Sequence, residues 1–215
     1  MTRGLFWTVV IVAALLAGAL GVFWADPVEQ RVAHRVLPTG DAPTGGPIEL
    51  PVSSRGGPLS LADYRGRYLW VYFGYTSCPD ACPGSLAVIS AALARLPPEL
   101  QGKAAGLFIS VDPERDTSER LREYVGYFHA DIDGATGPDA DLRGIAARYG
   151  VFYQHAELTS ALGYVVDHSS ATYLLGPDGA LLAVHAHGTG SAELLQTLGR
   201  VAGWPDRAPS AEPPR

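Results

Sequence analysis

Residues 68–73 (YLWVYF) form an unbroken apolar and aromatic run that ends at Gly74. A strand with one solvated face alternates apolar and polar residues, so an unbroken run predicts a strand that is buried on both faces. Such a strand lies inside a sheet that has helices packed against either side. We therefore expect an α/β domain that is built around residues 68–73.

The segment that follows continues this pattern. Residues 107–111 (LFISV) predict a second buried strand, and apolar residues at helical spacing lie between the two runs. These helical positions are Leu86, Ile89, Leu93 and Leu96. The order strand, helix, strand favours two parallel neighbouring strands that are joined by a helix.

The remaining elements are predicted from periods and from turn residues. Asp116 and Glu119 form a predicted N-terminal cap for a helix over residues 121–128, and Gly150 ends a helix over residues 142–149. Residues 172–175 and 181–184 flank a Pro-Asp-Gly turn and predict an antiparallel hairpin, which a helix over residues 194–201 follows. This is the element order of a thioredoxin-like domain with an inserted helix, in which helices flank a mixed sheet.

Near the N-terminus, residues 5–24 form a run of 20 residues without a charge. A helix of that length spans about 30 Å, which is the thickness of a bilayer's hydrocarbon core. A cleaved signal peptide is the alternative, but its apolar region is usually shorter, and Phe23 and Trp24 stand where small residues precede a cleavage site. With Arg3 before the run and Asp26 after it, we expect a single-pass protein of a bacterial inner membrane. Its N-terminus would be cytoplasmic and its C-terminal domain periplasmic.

The composition along the chain predicts four parts. Residues 1–25 are the expected transmembrane anchor, and residues 26–47, which are rich in proline and glycine, are expected to be a flexible tether. Residues 48–203 have the size of one folded domain. Residues 204–215 contain four prolines and few apolar residues, so a disordered tail is expected there.

Charge and cysteine content exclude several classes of protein. A net charge of −6 argues against a nucleic-acid-binding protein, since such proteins need a basic surface. The two cysteines of the chain are too few for a disulfide framework or for a zinc site made of cysteines alone. If they have a function, they act as one pair or together with other kinds of ligand.

Cys78 and Cys82 stand at the junction between the first buried strand and the first helix. Pro79 and Pro83 suit the first turn of a helix, where a missing amide hydrogen breaks no intrahelical bond. A helix that begins there places the two cysteines one turn apart on the same face. Its N-terminus favours the thiolate form, which attacks disulfides and binds soft metals.

A structural disulfide is the plainer interpretation of this pair. Closing a ring of about five residues is worth only ~2 kcal/mol, against ~4.7 kcal/mol for a loop of a hundred, so a functional pair is favoured. Three residues between the cysteines, rather than two, suit sulfurs that converge on an ion. Cu(I) prefers thiolates and imidazole in low coordination, so a copper site would need a histidine from elsewhere in the chain.

Six histidines are available for that position. His168 lies just before the predicted hairpin, although a histidine beside an aspartate is more often a hydrogen-bonded surface group. His185 and His187 alternate near the end of a strand and share one of its faces, where an exposed strand end is the favoured interpretation. His129 and His155 are expected to be solvent-exposed. The residues by themselves do not select one of these.

Four segments together resemble, in order and spacing, the Sco/SenC family of membrane-anchored copper proteins. They are residues 73–83 (FGYTSCPDACP), 110–117 (SVDPERDT), 166–169 (VDHS) and 173–179 (YLLGPDG). The resemblance implies a thioredoxin-like fold, copper bound by Cys78, Cys82 and His168, and a role in assembling the binuclear copper centre of cytochrome c oxidase. It also places Asp112 near the site, although a turn cap is an equal role for that residue. Ser77 departs from the family pattern, in which histidine often precedes the first cysteine.

Two functions follow from this resemblance as expectations. In the first, the reduced Cys-x-x-x-Cys pair binds Cu(I) or Cu(II) and delivers it to the copper-acceptor subunit of the oxidase. A periplasmic thiol reductant would then keep the pair reduced and able to bind copper. In the second, Cys78 and Cys82 reduce the cysteines of the acceptor and need no His168. A peroxiredoxin-like peroxidase is disfavoured because Tyr75 occupies the position of its expected threonine. A binding module with an inert disulfide is the remaining possibility.

Overall fold

The computed structural model describes residues 42–157 and 164–204. The predicted transmembrane run at residues 5–24, residues 26–41 of the predicted tether and residues 205–215 of the predicted tail lie outside these ranges. Within them, none of the helices has the length and apolar character that spanning a membrane requires.

A six-stranded mixed sheet forms the centre of the described domain. The described residues form strands β1 (Glu49–Leu50), β2 (Val52–Ser53), β3 (Leu59–Ser60), β4 (Tyr68–Gly74), β5 (Ala104–Ser110), β6 (Ile132–Thr136), β7 (Tyr153–Glu157), β8 (Tyr164–His168), β9 (Thr172–Leu175) and β10 (Leu181–His185). They also form helices α1 (Ala81–Ala94), α2 (Ser118–Gly126), α3 (Asp139–Tyr149) and α4 (Ser191–Val201). The strand order of the main sheet is β10-β9-β4-β5-β6-β2.

The two runs that were predicted as buried strands are β4 and β5, and they pair in parallel at the middle of the sheet. On one face, α1 packs over both strands and against α4, while α2 packs over β6. On the other face, Phe73 of β4 contacts Tyr149 of α3 at a ring-centroid distance of 5.6 Å. The predicted thioredoxin-like α/β fold, with helices on both faces of a mixed sheet, is therefore confirmed.

The predicted end of the helix at Gly150 and the predicted hairpin agree with the structure, whereas each of the helices α2, α3 and α4 begins three residues before its first predicted apolar position. Gly150 ends α3 in the left-handed conformation at a φ of 65°, and β9 and β10 pair antiparallel across the Pro-Asp-Gly turn. The predicted cap of α2 is wrong in one respect. Thr117 is the N-cap, and its side chain accepts a hydrogen bond from the amide of Arg120. Asp116 is buried instead, and its carboxylate binds groups in other parts of the fold.

An antiparallel hairpin of β7 and β8 is the largest element that the sequence patterns do not predict. Polar residues such as Gln154 and Asp167 interrupt both strands, so neither has an unbroken apolar run. Among the described strands, β7 and β8 pair only with each other and do not join the main sheet. His168 is the last residue of β8, and its place therefore depends on where this hairpin lies.

The end of the predicted tether lies against α3. The backbone amides of Thr44 and Gly45 donate hydrogen bonds to the carbonyl of Arg148, and the hydroxyl of Tyr149 donates to the carbonyl of Gly46 at 2.9 Å. These three hydrogen bonds hold residues 44–46 against the end of α3. The boundaries of the four predicted parts otherwise stay a prediction.

Candidate metal centre

The chain brings Cys78 and Cys82 to the end of the central strand β4. The strand ends at Gly74, a short loop follows, and α1 begins at Ala81. Cys82 therefore lies in the first turn of α1, while Cys78 lies in the loop just before it. The backbone amide of Cys82 points at the Sγ atom of Cys78 at 3.5 Å, so the helix N-terminus faces that sulfur. Both thiols are free, Cys82 is buried and Cys78 is half-buried.

The close approach of Cys82 to β4 requires a glycine at position 74. A Cβ atom on Gly74 would lie 2.5 Å from the Sγ atom of Cys82 and 3.0 Å from the ring of Phe108. Real Cβ atoms do not come that close to other atoms, so the sulfur occupies the space that any other side chain would fill. The glycine that follows the apolar run thus has a packing role at the site.

His168 completes the cluster from the end of β8. Its Nε2 atom lies 3.3 Å from the Sγ atom of Cys82, and one ligand atom from each of Cys78, Cys82 and His168 lies within 4.8 Å of the others. The rings of Tyr72 and Tyr75 pack edge-on against the imidazole at centroid distances of 6.1 and 5.9 Å. The three residues that the sequence singled out are therefore brought together.

A hydrogen bond sets which nitrogen of His168 faces the sulfurs. The Nδ1 atom lies 2.9 Å from the backbone carbonyl of Ser169, and a carbonyl oxygen can only accept. The neutral ring therefore carries its proton on Nδ1 and has a free lone pair on Nε2. This is the orientation in which histidine binds a metal, with its other nitrogen bonded to a fixed acceptor.

The two thiols of the pair differ in acidity. The hydrogen bond from the Cys82 thiol lowers the pKa of Cys78 strongly, although burial opposes this effect. The same hydrogen bond to Cys78, together with burial, raises the pKa of Cys82. The reduced pair thus loses its first proton easily from Cys78 and keeps the second between the two sulfurs. A metal that binds both sulfurs as thiolates displaces that second proton.

The cluster fits one soft metal ion. Ligand atoms bound at about 2.0–2.3 Å to one three-coordinate ion lie roughly 3.5–4 Å from one another. The Sγ atom of Cys82 and the Nε2 atom of His168 are 3.3 Å apart, and no two ligand atoms of the cluster are more than 4.8 Å apart. These two distances bracket that range. Two thiolates and one imidazole form a donor set that suits copper, whereas structural zinc usually has four protein ligands.

Asp112 is the remaining residue that the resemblance places near this cluster. Asp112 is buried, and its carboxylate accepts hydrogen bonds from Arg115 and from the hydroxyl of Tyr164. Within the described ranges it forms no hydrogen bond to Cys78, Cys82 or His168, so a role at the site would be indirect.

The remaining histidines are divided between surface and interior. His187 and His155 are exposed, as expected, and His129 is half-buried. His185 differs from its expected exposed position, because it is buried against α4. Its Cβ faces inward from the edge strand β10, where alternation along the strand places it under the helix.

Asp116 is a supporting residue that the sequence interpretation assigned to the wrong role. Its carboxylate accepts a hydrogen bond from the amide of Thr76 at 2.9 Å, one from the hydroxyl of Thr76 at 2.6 Å and one from the hydroxyl of Ser110 at 2.5 Å. Thr76 lies two residues before Cys78, so Asp116 holds the loop that carries the first cysteine. Its local sequence resembles a helix cap, and nothing nearby in the chain indicates the distant partners.

Comparison with known proteins identifies the family. A family model described as SCO1/SenC matches residues 38–203 of the chain. The chain belongs to the SCO1/SenC family. The expectation that the sequence motifs raised is thus confirmed, and the match includes the whole cluster of Cys78, Cys82 and His168.

Individual relatives and solved structures of the SCO1/SenC family agree with this assignment. The mitochondrial SCO1 homologue of Mus musculus is 34% identical over 197 residues, which cover 91% of this chain and 69% of the relative. The crystal structure of Arabidopsis thaliana ScoI with copper bound has a TM-score of 0.69 and 32% identity, and the match covers 75% of this chain and 99% of that one. The Bradyrhizobium japonicum ScoI structure with copper bound has a TM-score of 0.65 and 30% identity, with 73% of this chain and 98% of that one covered.

Proposed function

We propose that this SCO1/SenC protein is a copper chaperone that binds one copper ion through Cys78, Cys82 and His168. The observation that carries the proposal is the convergence of two free thiols and the Nε2 atom of His168 within 4.8 Å. Copper is bound in the related structures from Arabidopsis thaliana and Bradyrhizobium japonicum, which supports copper as the cargo. As the motifs shared with the SCO1/SenC family imply, the ion would be delivered to the binuclear copper centre of cytochrome c oxidase.

The oxidation state of the cysteine pair would control whether the site binds copper. In the reduced state, Cys78 and Cys82 give up their protons and offer two thiolates to the ion, while His168 offers its free Nε2. Forming the Cys78–Cys82 disulfide releases two electrons and two protons to an oxidised partner disulfide, which becomes a dithiol. In this disulfide form, the copper site lacks both of its thiolate ligands. A periplasmic thiol reductant would reverse this step before the next ion is bound.

The proposal includes attachment to a membrane. The uncharged run at residues 5–24 supports a transmembrane anchor, and residues 26–47 would then separate the domain from the bilayer. The membrane would be a bacterial inner membrane, with the copper site on its periplasmic side. Extraction of the full chain from washed membranes by detergent, but not by carbonate at high pH, tests this part.

Copper binding by the full chain in detergent tests the central claim. The reduced protein is expected to take up one Cu(I) in competition with a chromogenic Cu(I) chelator, and the oxidised protein none. The His168→Ala variant is expected to lose at least about tenfold in affinity because one of three ligands is gone. It should still form and reduce the Cys78–Cys82 disulfide. Unchanged affinity in His168→Ala would contradict the proposed ligand set.

A thiol-disulfide reductase is the second candidate function. The observation that favours it is the half-buried Cys78 with its lowered pKa, since an accessible thiolate is the attacking group in disulfide exchange. This activity needs both cysteines but not His168. Reduction of an oxidised acceptor peptide by both the wild type and His168→Ala, with no copper uptake by either, would favour the reductase.

A further inference from the structure

The position of His168 depends on a part of the fold that stands apart from the main sheet. The hairpin of β7 and β8 pairs with none of the other described strands, whereas Cys78 and Cys82 are fixed by the central strand and by α1. Side-chain packing, rather than strand pairing with the main sheet, therefore holds the hairpin and the third ligand relative to the two sulfurs. Contacts between the hairpin and the rest of the domain thus decide whether the ligand set is complete.

One such contact is a cluster of Asp112, Arg115 and Tyr164. Tyr164 begins β8, and its hydroxyl donates a hydrogen bond of 2.6 Å to one carboxylate oxygen of the buried Asp112. The Nε atom of Arg115 donates to the other carboxylate oxygen, and its Nη1 atom donates to the backbone carbonyl of Tyr164 at 3.0 Å. The guanidinium also stacks on the Tyr164 ring at 3.7 Å. Asp112 and Arg115 together thus hold the backbone carbonyl, the hydroxyl and the ring of Tyr164.

The same arginine also reaches the segment that leads to the cysteines. The guanidinium of Arg115 lies 5.6 Å from the ring centroid of Tyr75, which is the third residue before Cys78. The buried Tyr75 ring in turn packs edge-on against the imidazole of His168 at 5.9 Å. Arg115 thus lies between the strand that carries His168 and the loop that carries Cys78. It is positioned to fix the two parts of the ligand set relative to each other.

We propose that Arg115, held by Asp112, is a positioning residue that sets the distance between His168 and the cysteine pair by clamping Tyr164. This inference rests on the proposed copper-binding function. None of the three clamp residues belongs to the cluster of candidate ligands, so their effect on copper binding would pass through His168. It also explains how Asp112, which the resemblance places near the site, would act on the ligand set.

The burial of Asp112 makes the clamp sensitive to small changes. The Asp112 side chain is fully buried, so water does not replace a lost hydrogen bond to its carboxylate. A second tyrosine of the hairpin provides a matched contrast. The hydroxyl of Tyr153 donates to Asp139 at 2.8 Å, but the Asp139 side chain is 54% exposed and water can take over that bond.

The test compares Tyr164→Phe with Tyr153→Phe, each in the full chain with and without His168→Ala. Both single changes remove one phenolic hydroxyl and keep the ring. We expect Tyr164→Phe to weaken Cu(I) binding by about tenfold and Tyr153→Phe by less than about threefold, since loss of groups that orient a metal ligand costs 10- to 100-fold. In the His168→Ala background, Tyr164→Phe should weaken binding no further. An equal loss in both backgrounds would overturn the proposal, because the clamp would then act on the cysteines or on the fold in general.

A copper-free measurement keeps this test separate from the proposed function. The rings of Tyr72 and Tyr75 shift the NMR signals of the His168 ring protons in the reduced apoprotein, since they pack edge-on against it. Tyr164→Phe and Arg115→Met should move those signals towards the values of an exposed histidine, and Tyr153→Phe should leave them in place. Unmoved His168 signals in Tyr164→Phe and Arg115→Met would overturn the positioning role, whereas absent copper binding by the wild type would overturn only the proposed function.

Discussion

The Nε2 atom of His168 lies 3.3 Å from the Sγ atom of Cys82, although 86 positions of the chain separate the two residues. Cys82 comes from the first turn of α1, and His168 comes from the end of a hairpin that follows the inserted helix α3. Because the Nδ1–H of His168 is bonded to the carbonyl of Ser169, the free lone pair of the ring faces the sulfur. This relationship joins two segments into one candidate metal centre.

The absence of a side chain at Gly74 is expected to be essential to that centre. The Gly74→Ala variant would place a Cβ atom 2.5 Å from the Sγ atom of Cys82, so either the helix start or the strand end must shift. We expect a loss of about 1–3 kcal/mol in the free energy of unfolding, as for other overpacked cores, and weaker copper binding. Urea unfolding of the reduced apoprotein and chelator competition measure the two effects.

Gly84→Ala is the matched control for this change. Gly84 lies in α1, close to the cysteines, and a Cβ atom there would meet nothing within 4 Å. Stability should be unchanged or higher by up to about 1 kcal/mol, since alanine is the better helix former. Equal stability of Gly74→Ala and the wild type would contradict the packing role of Gly74.

The two cysteines should react at different rates in the reduced apoprotein. Cys78 is half-buried with a lowered pKa, whereas Cys82 is buried with a raised pKa. We expect iodoacetamide to modify Cys78 faster than Cys82, by a factor on the order of ten or more, at neutral pH. Mass spectrometry of the digested protein gives both rates. Labelling in concentrated urea, where the two rates should converge, is the control, and faster labelling of Cys82 in the native protein would contradict the structure.

Removing Asp116 should loosen the loop before Cys78. Asp116→Ala leaves the amide and hydroxyl of Thr76 and the hydroxyl of Ser110 as buried donors without this acceptor. We expect a loss of about 2–4 kcal/mol in the free energy of unfolding, which urea denaturation measures. Asp141→Ala removes an exposed carboxylate from the first turn of α3 and should cost no more than about 1 kcal/mol. Losses of similar size in the free energy of unfolding of the two variants would contradict the role of Asp116 in holding the loop before Cys78.

The pH dependence of stability should contain a contribution from His185. Burial lowers the pKa of His185 below 6.5, an effect that Glu193 opposes and Arg200 strengthens. Because the pKa of His185 is lower in the folded state than in the unfolded state, the unfolded chain binds the proton more readily. The contribution of neutral His185 to the free energy of unfolding is therefore complete above pH 6.5 and is lost as the pH falls. Thermal unfolding at pH 7.5 and pH 5 should therefore show a smaller acid-induced loss in His185→Gln than in the wild type. His187→Gln, which changes an exposed histidine of the same strand end, should retain the wild-type loss.

The order of the main elements was predictable because its signals are local. An unbroken apolar run such as residues 68–73 needs two covering layers, and a period of 3.6 residues needs a helix. Strands β7 and β8 have no such signal, since polar residues interrupt them and their partner is each other. The helix α2 shows the same limit at its start, where Asp116 has the sequence of a cap and the structure uses Thr117.

By itself the sequence determined that this protein has two buried central strands, one pair of closely spaced cysteines at the end of the first strand, and too little sulfur for more than one such site. Those properties depend on residue types and short spacings, which the chain carries locally. Only the tertiary structure decided that His168 faces Cys82, that Asp116 holds the loop and that Arg115 lies between Tyr164 and Tyr75. Each of these contacts joins side chains that are tens of residues apart, and the packing of sheet, hairpin and helices brings them together.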